Sequence, residues 1–205
     1  MRTQRFGFPW QLLVVFLFFG LLSGCGINNI PQYDEQVKSA WAQVENQYQR
    51  RADLIPNLVE TVKGFARQEQ ETLTAVIEAR AKATSIQVDA STLDNPEQLQ
   101  QFQQAQNQLT GALSRLMVVS ERYPELKSNQ NFLALQSQLE GTENRITVAR
   151  NRYIESVKEY NVLARSFPTN LTAKVFGYPP KPNFSVQNEA QIAAPPTVDF
   201  GAPKK

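Results

Sequence analysis

Between residues 128 and 167 a large apolar or aromatic side chain recurs every seven residues: Phe132, Leu139, Ile146, Tyr153, Tyr160 and Phe167. Leu135, Thr142, Ala149, Val157 and Leu163 or Ala164 fill the alternate positions. A seven-residue period kept up this long marks a helix that buries one seam against other helices, like a coiled coil. At a rise of about 1.5 Å per residue it spans about 55–60 Å. Ser128 or Asn129 starts it, and Pro168 ends it, because proline cannot continue a helix. Tyr153 and Tyr160 lie on the seam, so they belong to the core with their hydroxyls at its edge.

The rest of the chain reads helical too. Trp41, Val44, Tyr48, Ile55, Leu58, Val62, Phe65 and Leu73 form one stripe at steps of three, four and seven. Val76, Ile77, Ala83 and Ile86 continue it. This predicts one long helix from Tyr33 or Asp34 to about Ser85. Pro56 falls inside it, where it removes a backbone hydrogen bond and clashes with the preceding turn. The stripe keeps its register there, which favours a kink near Ile55 over a restart with Asp53 as N-cap. Residues 88–94 read as a loop. Asn95-Pro96-Glu97-Gln98 then opens a second helix, with Asn95 as N-cap, Pro96 at the first position and Gln98 closing a capping box. Leu99, Phe102, Ala105, Leu109, Leu113, Leu116 and Val119 carry its apolar face, through a glutamine-rich stretch that keeps helical spacing. Pro124 stops it near Tyr123. Gly64, Gly111 and Gly141 each fall inside a helix, which suggests close helix approach. Most of the twelve prolines follow Phe167. Residues 171–177 suit one short helix docked on the bundle end, and the chain from Tyr178 on reads as extended or disordered. The expected fold is therefore all-α: an elongated antiparallel bundle of three long helices plus a short C-terminal helix, with an extended Pro-rich tail.

At the start, Arg2 and Arg5 precede an apolar run over residues 12–22, then Leu22-Ser23-Gly24-Cys25. A spanning helix needs about 20 apolar residues, so the run is short for one. A basic start, a short apolar middle and small residues before a cut make a secretory signal peptide. The ending resembles a bacterial lipobox, in which the cysteine thiol is lipidated and the chain is cut before it. The expected organisation is a leader over residues 1–24, a tether over 25–32, a helical bundle over 33–178 and a tail over 179–205. Several acyl chains, at about 0.8 kcal/mol per buried CH₂, anchor a protein in effect permanently. Gly26 after the cysteine resembles the outer-membrane form of this signal. An anchor helix over residues 12–27 is the other reading.

The chain has no histidine and one cysteine. That excludes a Ser-His-Asp triad, a Cys-His pair and a histidine zinc site. No cofactor or metal is expected. The formal net charge is +2, and Arg2 and Arg5 account for it. The remainder is neutral and lacks the basic footprint of a nucleic-acid binder.

Residues 50–64 combine charge with the apolar stripe. Arg50, Asp53, Asn57 and Glu60 share a neighbourhood on the helix, and Arg51 adjoins them. Such a cluster is either a solvated face or a surface that docks a partner or locks helices together. RRADLIPNLVETVKGFA from Arg50, ARAKA from Ala79, the stretch from Tyr123 to Asn161, FP at Phe167 and VFGY at Val175 resemble the LemA family. Pro195-Pro196-Thr197-Val198-Asp199-Phe200 resembles that family's usual ending. The resemblance implies a long-helix bundle on the outer side of a bacterial membrane, with no established enzymatic activity. Many members begin with a short anchor helix, whereas this chain begins like a lipoprotein. The matching motif residues are Arg50, Arg51, Asp53, Pro56, Asn57, Glu60, Glu143, Asn144, Arg150, Tyr153 and Asn161, and none brings a catalytic role with it.

The leading expectation is a non-enzymatic envelope protein, lipid-anchored through Cys25 and facing away from the cytoplasm, that scaffolds or binds another envelope protein. Arg50, Arg51, Asp53, Asn57 and Glu60 are its candidate partner-binding residues; self-association stays open. One alternative is an enzyme working through carboxylates such as Asp53, Glu60 or Glu143, which would need a concave pocket and a raised carboxylate pKa. Another is membrane remodelling, which wants a basic amphipathic face.

Overall fold

The computed structural model describes residues 29–89 and 93–184. The lipobox, Cys25 and residues 185–205 lie outside the described residues. Among those described there is helix and no strand. In chain order the helices are α1 (Asn29–Phe65), α2 (Gln70–Ser85), α3 (Pro96–Ser120), the single turn α4 (Pro124–Lys127), α5 (Gln130–Arg165) and α6 (Thr169–Phe176). No described helix is long and apolar enough to cross a membrane.

The first helix departs from expectation at both ends. It includes Asn29–Gln32, four residues assigned to the tether, because Ile30 is fully buried. It also stops at Phe65 instead of running on to Ser85. Between Ala66 and Leu73 the sequence supplies only polar residues. A straight helix would leave Leu73, Val76 and Ala83 beyond the reach of the core. A turn at 66–69, closed by the Glu69 N–H to the Ala66 carbonyl at 3.1 Å, folds them back onto Leu58 and Val62. A fully buried Leu or Val contributes roughly 1.5–3 kcal/mol, which outweighs the few helical hydrogen bonds lost at the turn. The result is four principal helices in place of three, with α1 and α3 running one way and α2 and α5 the other. Phe65 lands on the rim, 39% exposed.

Helix α1 passes through Pro56 without a break. The missing N–H orphans the Ala52 carbonyl one turn earlier. Arg80, from α2, donates its Nε–H to that oxygen at 2.8 Å. The proline in the first motif is thus compensated by the arginine in the second.

At α3 the expected start is found in part. Asn95 accepts from the Glu97 and Gln98 N–H groups and Pro96 is the first helical residue. Gln98 does not close the box: its side-chain oxygen is buried without a partner. Asn129 caps α5 by accepting from the Phe132 N–H at 3.1 Å. Phe132, Leu139, Ile146, Tyr153 and Tyr160 are all buried along it, as the period requires. Phe167 is not: the helix ends at Arg165, and Phe167 is 80% exposed beside a cis peptide to Pro168. Gly64, Gly111 and Gly141 do not mark close approach either, since a Cβ at any of them would meet nothing within 4 Å.

Two apolar clusters fill the bundle. The upper one joins Ile55, Leu58 and Val62 of α1 to Leu73 and Val76 of α2, Leu109, Leu113 and Leu116 of α3, and Phe132 and Leu139 of α5. The lower one is aromatic. Trp41 meets Phe102 and Tyr153 edge to face at 5.4 and 5.2 Å, and Tyr48 meets Phe102 at 5.1 Å. The Trp41 indole N–H donates to the Val88 carbonyl of the α2–α3 loop.

Helix α2 is too short to cover this lower half, and residues 179–184 help to do so. Tyr160 and Tyr153 donate their hydroxyls to the carbonyls of Pro179 (2.9 Å) and Pro182 (3.3 Å). Asn161 pairs both ways with the Lys181 backbone. Phe184 lies tilted against Trp41 at 6.0 Å and meets Tyr153 edge to face at 5.3 Å, with the Arg150 guanidinium 4.6 Å from its ring. Residues 179–184 carry no regular secondary structure, and their bonds to α5 fix them as a strap along the bundle.

Candidate functional site

Helix geometry sorts the residues of the 50–64 stretch into two directions. Arg50, Asp53, Asn57 and Glu60 lie within one quadrant of α1 and are exposed. The bonds on this face stay inside the helix. Gln49 donates to Asp53 at 2.8 Å, the Thr61 hydroxyl to the Asn57 carbonyl at 2.7 Å, and Lys63 sits 3.6 Å from Glu60. Such pairs add only a few tenths of a kcal/mol. The face contributes little to holding the bundle together.

Arg51 points the other way. It is 1% exposed and sits between the two apolar clusters. Its Nη1 donates to Thr110 Oγ1 at 2.9 Å and to the Glu143 carboxylate. Its Nη2 donates to Gln106 Oε1 at 2.6 Å, and Gln106 in turn donates to the Ala83 carbonyl. Its guanidinium also lies 5.0 Å from the Tyr48 ring centre. One side chain therefore joins α1, α3 and α5, and through Gln106 the end of α2. This is an inter-helix lock, and it leaves Arg51 no surface to offer a partner.

The three carboxylates considered for acid–base work do not converge. Glu60 lines an open groove of about 580 Å³ between the end of α1 and the start of α2, with Lys63, Arg67, Leu73 and Ile77. Glu143 lines a different groove, about 240 Å³, beside Glu140. There Arg51 holds Glu143, and Gln136 donates to Glu140. Asp53 lines neither. Among the described residues no cluster of three or more His, Cys, Asp or Glu is arranged to hold a metal ion.

A second polar centre lies outside the motifs. Lys181, in the strap, is buried, with its ammonium 2.9 Å from both Asp34 and Asp94 and 5.2 Å from the Tyr160 ring. Lys38 also reaches Asp34, at 2.8 Å. Burial pushes the Asp34 carboxyl up, but the hydrogen bonds from Lys38 and Lys181 outweigh it and leave the group below its ordinary value. For Lys181 burial acts downward, and the bonds to Asp34 and Asp94 prevail, raising it. Burial pushes the Tyr160 hydroxyl up to about 12, so it stays a donor to Pro179. The centre ties α1, the α2–α3 loop, α5 and the strap together. A lone lysine among prolines shows no period, so pattern reading passes over it.

A match to a family model agrees with the motif reading. The family model described as LemA family matches residues 40–200. That span takes in the exposed face of α1, the Arg51 lock and the strap. No curated protein matches the chain.

Proposed function

The chain belongs to the LemA family, and on that premise we propose that it is a membrane-tethered envelope protein whose α1 face, Arg50, Asp53, Asn57 and Glu60, binds another protein. One observation carries this reading. A motif dense in charge is exposed, and its bonds stay within its own helix. Its inward member, Arg51, builds the scaffold that presents it. The scattered carboxylates favour a binding role over acid–base catalysis.

Cys25 carries the tether in this reading, as a thioether to lipid, on the side of a bacterial membrane away from the cytoplasm. Gly26 favours the outer membrane in a cell that has two. Crosslinking and affinity capture from native membranes, read by mass spectrometry, tests the binding role. Asp53→Ala and Asn57→Ala are expected to lose the captured partner while helix content stays unchanged. Equal capture by both variants would overturn the assignment of this face. The intact mass of the purified chain, compared with Cys25→Ser, tests the lipid.

A further inference from the structure

The lower end of the bundle carries an apolar surface that packing does not use. Phe167 is 80% exposed, Leu171 58%, Val175 79% and Phe176 66%. In α6, Thr169 and Ala173 face inward, while Leu171 and Val175, one turn apart, face out. Large apolar side chains scattered singly need no explanation, but four exposed within ten residues concentrate apolar surface at one end of the bundle. Residues 162–180 hold two cations, Arg165 and Lys174, both exposed, and no acidic residue.

The same end receives the chain's N-terminal segment. Arg51 pairs with Glu143, Arg152 donates to Gln43, and Trp41 packs on Tyr153. This antiparallel register brings Ile30 level with Ala164, and both belong to the lower cluster with Ala173 of α6. Asn29 therefore starts beside α6. Cys25 precedes it by four residues, which span at most about 14 Å of extended chain. The apolar run over residues 12–22 comes just before. Whichever of the two is the anchor, this end is the one drawn to the bilayer.

We propose that Phe167, Leu171, Val175 and Phe176 seat in the lipid–water interface, with Arg165 and Lys174 against anionic headgroups, so that the bundle stands on the membrane by its α6 end. The inference rests on the tether reading and adds an orientation to it. A short amphipathic helix with apolar and basic residues suits this position, its apolar side entering about 5–10 Å. Asp53, Asn57 and Glu60 then stand about 35–45 Å from the membrane, at about 1.5 Å per residue of α1. The partner face is lifted clear of the headgroups.

The test uses the full lipidated chain in vesicles of phosphatidylethanolamine and phosphatidylglycerol with brominated acyl chains. Tryptophan is placed at the seat (Val175→Trp) or on exposed α2 (Ile77→Trp), and emission is read above that of the unsubstituted chain. Bromine quenching of Val175→Trp, with Ile77→Trp unaffected, is the expected result. Vesicles that float with the protein but leave Val175→Trp unquenched overturn the seat and spare the tether. A blue-shifted but unquenched emission also overturns the seat, because the apolar surface is then covered by the chain's own tail or by a second copy. Protein that does not float with the vesicles overturns the tether reading and the seat together.

Discussion

Arg51 and Arg80 both place a cation between helices, Arg51 buried and Arg80 half-buried, and each answers a different need. Arg51 is a buried charge whose counter-ion, Glu143, is 41% exposed at its side chain. Removing one partner of such a pair strands the other. Glu143→Ala is therefore expected to cost about 3 kcal/mol, near the low end for a stranded buried charge, because Thr110 and Gln106 still accept from Arg51. Arg51→Met with Glu143→Leu should recover most of that loss, since apolar replacement of a buried pair is often neutral. Urea denaturation of the two variants against the parent chain checks both statements. Arg80 instead supplies the hydrogen bond that Pro56 removes. Arg80→Ala is expected to cost about 1.5–3 kcal/mol in the parent chain, the range for a hydrogen bond from a charged donor. With Pro56→Ala the Ala52 carbonyl regains its helical partner, and the cost should shrink by at least about 1 kcal/mol. Equal costs in the two backgrounds would show that the contact does not compensate the proline.

At the scale of the element, Gly111 and Gly141 stand mid-helix with open space where an added methyl would point. Gly111→Ala and Gly141→Ala should each stabilise by about 1 kcal/mol, which raises Tm by about 2–4 °C in a domain of this size. A loss of stability would reveal a neighbour that the geometry does not contain. The strap is the other element with a definite response. Asp34 has a lowered pKa in the fold, so its stabilising contribution is full above its unfolded value and is lost as pH falls through the folded value. Lys181 has a raised pKa, so its contribution is full below its unfolded value and is lost only as pH rises through the folded one. The strap should hold across the neutral range and begin to loosen below about pH 4. The amide hydrogen of Lys181, held by Asn161 at 2.8 Å, should lose its exchange protection there. Lys181→Met should lose the same protection at neutral pH and cost about 1–3 kcal/mol. Protection unchanged in Lys181→Met would mean that Asn161, Tyr153 and Tyr160 hold the strap alone.

For the whole molecule, the polar layer at Arg51, Gln106, Thr110 and Glu143 sets the register between a mostly aliphatic upper half and an aromatic-rich lower half. Sliding α5 by one turn against α1 would take Glu143 away from Arg51 and leave a buried cation unpaired, which is how polar core residues fix register in helical assemblies. The exposed face of α1 then sits at a set height above the end where the chain enters. The exposed α1 face, the Arg51 lock and the strap follow one another along the same axis, which fixes the distance of that face from the end at Asn29.

The sequence alone determined the helical class, the buried seam from Phe132 to Tyr160, the start of α3 at Asn95-Pro96 and the family motifs. Each is written in local spacing, where period and capping chemistry act within a few residues. The turn at 66–69, the inward aim of Arg51, the service of Arg80 to Pro56 and the burial of Lys181 were decided only in three dimensions. The turn exists because Leu73 and Val76 gain more from Leu58 and Val62 than from a straight helix. Arg51 and Arg50 are adjacent in sequence, but a step of about 100° around the helix sends one to the core and the other to solvent. Lys181 is buried because Asp34 and Asp94, far away in the chain, meet it with opposite charge. No local pattern records such a meeting, since the partners are brought together by the packing of the helices between them.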